Sequence, residues 1–148
     1  MRESQLKALD LPHTAVANTI DLGDIKNIHP KDKLPIGKRL ALLATTKAQG
    51  PTFKSVTKKG NQLIVHFDHA EGLQTLDGKS PTGFWITDNS AKWTKANAEI
   101  TNTTVHLSSP ELKKPLYIRY AFTGKPDVNL INAAKLPASP FRTDSFKP

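Results

Sequence analysis

At Gly50-Pro51 the hydrophobic period of this chain switches from that of helices to that of strands. Residues 2–9 are good helix formers with Leu6 and Leu9 on one side, and Pro12 ends them. Ala15 to Ile20 is a short apolar run closing on Asp21 and Gly23, the pattern of a buried strand entering a loop. A second helix follows. Asp32 is its cap, Pro35 lies in its first turn, and Ile36, Leu40, Leu43 and Ala44 share a face at steps of three and four. Lys47 lies near its end and Gly50-Pro51 stops it. Strand, loop and helix in that order predict the last β–α unit of an α/β sheet.

Beyond Pro51 the apolar runs are short: Thr52–Thr57, Gln62–Phe67, Gly83–Thr87, Thr103–Leu107 and Leu116–Phe122. Turn signals such as Lys59-Gly60-Asn61, Asp77-Gly78 and Thr101-Asn102 separate them. Leu63, Val65 and Phe67 fall at alternate positions, as do Leu116, Ile118 and Tyr120. This spacing predicts an antiparallel β-sandwich. Asn129 to Pro148, with three prolines and little periodicity, is expected to run over a surface. The expected fold is α+β, with residues 1–50 as the incomplete end of an α/β domain and 51–148 as the sandwich and its proline-rich tail.

Composition narrows the chemistry. The 148 residues contain no cysteine, which removes disulfides, thiolate metal sites and a cysteine nucleophile. The formal charge of +8 divides as +3 (eight Lys/Arg, five Asp/Glu) over residues 1–50 and +5 (thirteen, eight) over 51–148. No Lys/Arg run exceeds two residues, so the excess reads as an evenly basic surface rather than a nucleic-acid footprint. No stretch approaches the roughly 20 apolar residues that span a bilayer. Arg2, Glu3, Lys7 and Asp10 do not suit a secretory signal, so any such signal is expected upstream.

His29 stands on the loop between the expected strand and the second helix, where α/β hydrolytic folds place a general base. Asp24 and Asp21 are the nearest carboxylates able to orient its ring, whereas Asp32 serves the helix. His66 and His69, three apart on a strand and its turn, do not converge on a metal and lack a third ligand. His106 and His13 suggest nothing further. No serine lies in a nucleophile context: Gly-x-Ser-x-Gly, Gly-Asp-Ser and Gly-Gln-Ser are all absent. No cofactor-binding motif is present. Trp85, Trp93, Phe84 and Tyr120 admit two readings, a sugar-stacking surface or core.

Asn27-Ile28-His29-Pro30-Lys31-Asp32-Lys33, with Gly37-Lys38-Arg39-Leu40-Ala41 after it, resembles the catalytic-histidine region of the sialate O-acetylesterases, a family of SGNH-type serine esterases. Thr19-Ile20-Asp21-Leu22-Gly23-Asp24 resembles the strand before it, and Arg119-Tyr120 and Leu136 to Asp144 resemble the family's carboxy-terminal β domain. The likeness extends over nearly the whole chain. It implies that His29 is the general base, that the substrate is an O-acetylated sugar such as sialic acid, and that the serine and oxyanion hole belong to an amino-terminal portion not contained here. The chain alone is then expected to be inactive. Lys26 stands where many SGNH enzymes carry the acid, so the orienting partner is Asp24, a backbone carbonyl, or absent in a dyad. Lys135 stands where the family commonly has glycine. The rival reading is a non-enzymatic carbohydrate-binding β-sandwich. Neither reading calls for nucleic acid, a membrane or a metal.

Overall fold

Apolar residues two apart along the longer strands build the core side of the larger part of the molecule. In the computed structural model, which describes residues 2–24, 26–27, 29 and 31–146, the inward residues Leu63, Val65 and Phe67 are all buried. The elements are α1 (Arg2–Leu6), a 3-10 turn (Lys7–Asp10), α2 (Leu34–Thr46), β1 (Thr52–Lys59), β2 (Gln62–Asp68), β3 (Gln74–Thr75), β4 (Phe84–Thr87), β5 (Thr94–Lys95), β6 (Asn97–Thr101), β7 (Thr104–Ser108), β8 (Tyr117–Tyr120), β9 (Leu130–Ile131) and β10 (Phe141–Arg142). One sheet has the order β1-β2-β7-β6, a second β10-β8-β4-β5, and β3 pairs with β9. Every pairing is antiparallel. The fold is thus mixed, with mostly antiparallel sheets and two α-helices.

The inward side chains of both four-stranded sheets share one core, with Val65, Val105 and Leu107 from the first and Ile86, Ile118 and Tyr120 from the second. Such packing of two alternating faces is the main stabilising term in an all-antiparallel structure. Phe141 enters this core from the tail. It stacks on Phe53 at 4.6 Å and lies 5.8 Å from Tyr120.

The tail therefore does not run over a surface as expected. Leu130, Ala138 and Phe141 are buried, together with Asn129, Asn132 and Asp144. It lacks periodicity because short strands and turns, rather than one long element, carry its residues inward. Its polar side chains replace the missing ladder bonds. Asn132 Nδ2 donates to the carbonyls of Gln49 and His69, and its Oδ1 accepts from Leu136 N–H at 3.1 Å.

Three expectations for the first fifty residues are corrected. Residues 15–20 form no strand, because a strand exists only through a paired neighbour and none of the described residues supplies one. The helix of the expected β–α unit is present, and its strand is not formed. In addition, α2 turns only part of the expected face inward. Leu40 is 54% exposed and Ala44 is exposed, while Ile36, Arg39, Leu42 and Leu43 are half-buried. The cause is Arg39, whose guanidinium reaches beneath the preceding segment to Asp21 and the Asn18 carbonyl. The helix also ends earlier than Gly50-Pro51: Lys47 takes the left-handed conformation (φ 57°) and donates its N–H to Leu43 O.

Gly50 has a different task. A Cβ there would run into the Pro137 carbonyl oxygen, so the absence of a side chain lets the tail cross at this point. Lys135, at the position where a glycine was the expected residue, adopts φ 57° in a turn closed by its own N–H to Asn132 O. Lys135→Gly is expected to raise stability by roughly 0.5–1 kcal/mol, the left-handed penalty less the entropy of glycine. Gly50→Ala is expected to lower it by about 2–3 kcal/mol through overpacking. Urea unfolding of both variants measures the two signs.

Candidate functional site

The loop from Asp21 to Lys33 is shaped by side chains that bond their own backbone. Asp24 Oδ1 accepts from Lys26 N–H at 2.9 Å, Asn27 Oδ1 from His29 N–H at 2.9 Å, and Asp32 Oδ1 from Leu34 N–H at 3.0 Å. These are successive Asx turns, each supplying locally the bond that a ladder would give. Asp24 and Asn27 also form an isolated antiparallel bridge. Asp32 thus supports the start of α2 from one residue outside the cap, Lys33. Ile25, Ile28 and Pro30 of this motif lie outside the described residues.

The base of the loop is held more firmly. Arg39 makes a two-pronged ion pair with Asp21, both N···O distances being 2.6 Å, and donates to Asn18 O at 2.8 Å. Asn18 Nδ2 donates to the carbonyls of Pro137 and Ala138. Lys125 Nζ donates to Gly23 O from the opposite side. The fixed fork of Arg39 gives this anchor its geometry.

His29 lies exposed on this loop, with its backbone N–H tied to Asn27. No hydrogen bond or ion pair to its ring is formed among the described residues. Asp24 is exposed, spends Oδ1 on the turn and makes no contact with the His29 ring. Asp21, the other candidate orienting acid, is committed to Arg39. The loop borders a groove of about 600 Å³ lined by Leu6, Val16, Ile20, Asp24, Asn27 and Ile36 among others. Sequence reasoning did not single out Asn18 or Arg39 as the residues that position this loop. Their partners lie 119 and 18 residues away, and no local pattern announces such pairs.

The remaining histidines sit elsewhere. His66 shares a 2.9 Å hydrogen bond with Thr57 across β1 and β2, His69 takes a left-handed turn, and His106 lies half-buried opposite Glu99. No group of three metal-ligating side chains assembles among the described residues. No helix is long and apolar enough to cross a membrane.

Of the four aromatic residues read as a stacking surface or core, two are core and the tryptophans Trp85 and Trp93 are half-buried. Phe84 and Tyr120 are buried core. Trp93 is half-buried, with the Arg119 guanidinium 4.3 Å from its ring centroid and the Phe146 ring edge-on to it, 6.5 Å between centroids. Arg119 in turn grips Asp144 with two bonds of 2.8 Å. Arg142 donates to Glu3 on α1 and to the Phe146 carbonyl, so the tail is strapped to the first helix. These hydrogen bonds from Arg119, aided by its charge and that of Arg142, hold the Asp144 carboxyl below the usual carboxylate range despite its burial.

No family model and no curated protein matches the chain. Among solved structures, it is similar to the crystal structure of a novel carbohydrate acetylesterase from Xanthomonas citri, with 35% sequence identity and a TM-score of 0.89. The alignment covers 97% of this chain and 35% of that one. The chain thus spans about a third of the length of the structure it matches. At this level it shares its fold with part of a carbohydrate acetylesterase, and the relationship is esterase-like.

The Arg119–Asp144 pair sets a pH expectation. Because the folded carboxyl titrates below its unfolded value, its contribution is complete above the ordinary carboxylate pKa of about 4 and is lost as pH falls through the lowered folded value. Asp144→Asn is expected to cost about 2–3 kcal/mol at neutral pH by leaving Arg119 without its partner. The variant should also show a flatter fall in stability below about pH 4. Thermal unfolding followed across the acid range checks both parts.

Proposed function

We propose that this chain is the histidine-bearing part of a serine carbohydrate esterase of the sialate O-acetylesterase type. In this reading residues 1–50 are the end of an SGNH-type α/β domain and 51–148 its β-sandwich. His29 is the general base. It takes the proton of a serine hydroxyl as the serine oxygen attacks the acetyl carbonyl carbon, then passes it to the departing sugar oxygen. A water, deprotonated by the same imidazole, next attacks the acyl-enzyme and releases acetate. The serine and the oxyanion-hole donors come from a catalytic portion outside this chain. The substrate class is O-acetylated sugars, sialic acid among them.

The observation that carries this reading is the match to a carbohydrate acetylesterase over nearly all of the chain. The exposure of His29 supports it, since a base that must meet an incoming hydroxyl cannot be walled into a core. Asp24 is the proposed orienting acid: Oδ1 holds the loop in shape, and Oδ2 is left for the imidazole once the site is assembled. The sandwich reading without catalysis has less support at Trp93, which carries Arg119 on its face.

The test is a chimera in which this chain replaces the segment of the Xanthomonas citri acetylesterase that it superposes on. The chimera is expected to hydrolyse p-nitrophenyl acetate. His29→Ala within it should cost about a hundred- to ten-thousand-fold in kcat, and Asp24→Asn a smaller factor. The chain on its own should hydrolyse the ester no faster than its His29→Ala variant. Turnover by the chimera that ignores His29 would overturn the assignment.

A further inference from the structure

We infer that the cleft between β6 and the 73–81 segment binds a neutral oligosaccharide. It has a volume of about 740 Å³ and shares no lining residue with the groove beside the histidine loop. Ligand pockets commonly hold about 300–1,000 Å³. Leu63 and Leu107 point into the core, so their neighbours Gln62, His106 and Ser108 point out of the same sheet. Across the register, Asn97 stands opposite Ser108 and Glu99 opposite His106. All five line the cleft. None of their side chains makes a hydrogen bond or ion pair with a described residue. Elsewhere on this face such groups are already engaged: His66 shares a hydrogen bond with Thr57, and Thr104 Oγ1 donates to Thr101 O. Gln62, His106 and Ser108 are half-buried, so they have given up part of their water without gaining a partner among the described residues.

The 73–81 side of the cleft is held in advance. Buried Asn129 donates from Nδ2 to Asp77 Oδ1 at 2.8 Å and to Ser80 O at 3.1 Å, while its Oδ1 accepts from Thr82 N–H at 2.9 Å. Thr75 Oγ1 donates to Lys79 O, and Asp77 Oδ1 accepts from Lys79 N–H. A wall fixed at so many points loses little freedom when a ligand arrives. Leu73, Pro81 and Ile100 add apolar surface to the lining. That combination matches a pyranose, which carries hydroxyls around its rim and C–H groups on its faces. Amide, hydroxyl, imidazole and carboxylate groups give and accept hydrogen bonds as sugar hydroxyls do. The two ionic side chains of the lining, Glu99 and Lys79, cancel, which favours an uncharged sugar over an acidic one in spite of the net charge of +8. No aromatic side chain lines the cleft, so a nucleobase has nothing to stack on and the expected affinity for a sugar is weak. The footing of this site is the chemistry of the cleft itself, not the esterase reading.

Titration of the full chain with cellotetraose, xylotetraose, mannotetraose and, as the acidic comparison, trigalacturonate tests the site through amide NMR shifts. The readout needs no catalysis, so it stands or falls apart from the esterase assignment. At least one of the neutral tetrasaccharides is expected to shift the backbone amides of residues 74–80 and 97–100 and the side-chain amides of Gln62 and Asn97, saturating below about 20 mM. Glu99→Gln is expected to weaken that binding about tenfold and Asn97→Ala about threefold. Both residues are exposed, so the melting temperature of each variant should stay that of the parent. The absence of a saturable shift with any neutral tetrasaccharide, shifts confined to other residues, or equal binding of trigalacturonate would each overturn the proposal. So would an undiminished response in both variants, which would assign the contact to the backbone edge of β6 instead.

Discussion

The carbonyls of Pro137 and Ala138 form the junction on which the first fifty residues depend. Both accept from the Asn18 amide, and the Pro137 carbonyl passes so close to Gly50 that no side chain fits between them. Ser139 N–H donates to Pro51 O, and Asn132 reaches Gln49 and His69. A segment of low periodicity thus acts as the mortar between the sheets and the helices. It can do so because its amide side chains satisfy backbone groups of elements too irregular to satisfy one another.

This junction determines what the histidine loop can be. With Asn18 pinned to the tail and Arg39 pinned to Asn18 and Asp21, the ends of the loop are set by long-range contacts. Its interior is set by three Asx turns that need nothing beyond their own residues. The result is a histidine displayed on a firm base with its ring outside any core.

Much of the fold was legible. Alternation in the burial of β2, β7 and β8 is strong because each strand has one face in the core and one turned away from it, so the pattern repeats every second residue. The strands β3, β5, β9 and β10 span only two residues each, too few to show a period, and they went unread. The buried tail was misread for the same reason. Within the site, His29 and Asp24 were visible as residue types on a loop. The contact that would join them does not form in this chain, and the residues that position the loop were hidden by sequence separation.

The sequence by itself determined the switch of period at Gly50-Pro51, the start of the second helix and the alternating strands, since each rests on interactions among near neighbours or on burial of one face. Only the tertiary structure decided which face α2 turns inward, where the tail lies and that residues 15–20 form no strand. Those outcomes depend on partners far away along the chain: Arg39 on Asp21 and Asn18 on Pro137. Pairing of that kind leaves no local trace, because its energy belongs to two segments at once.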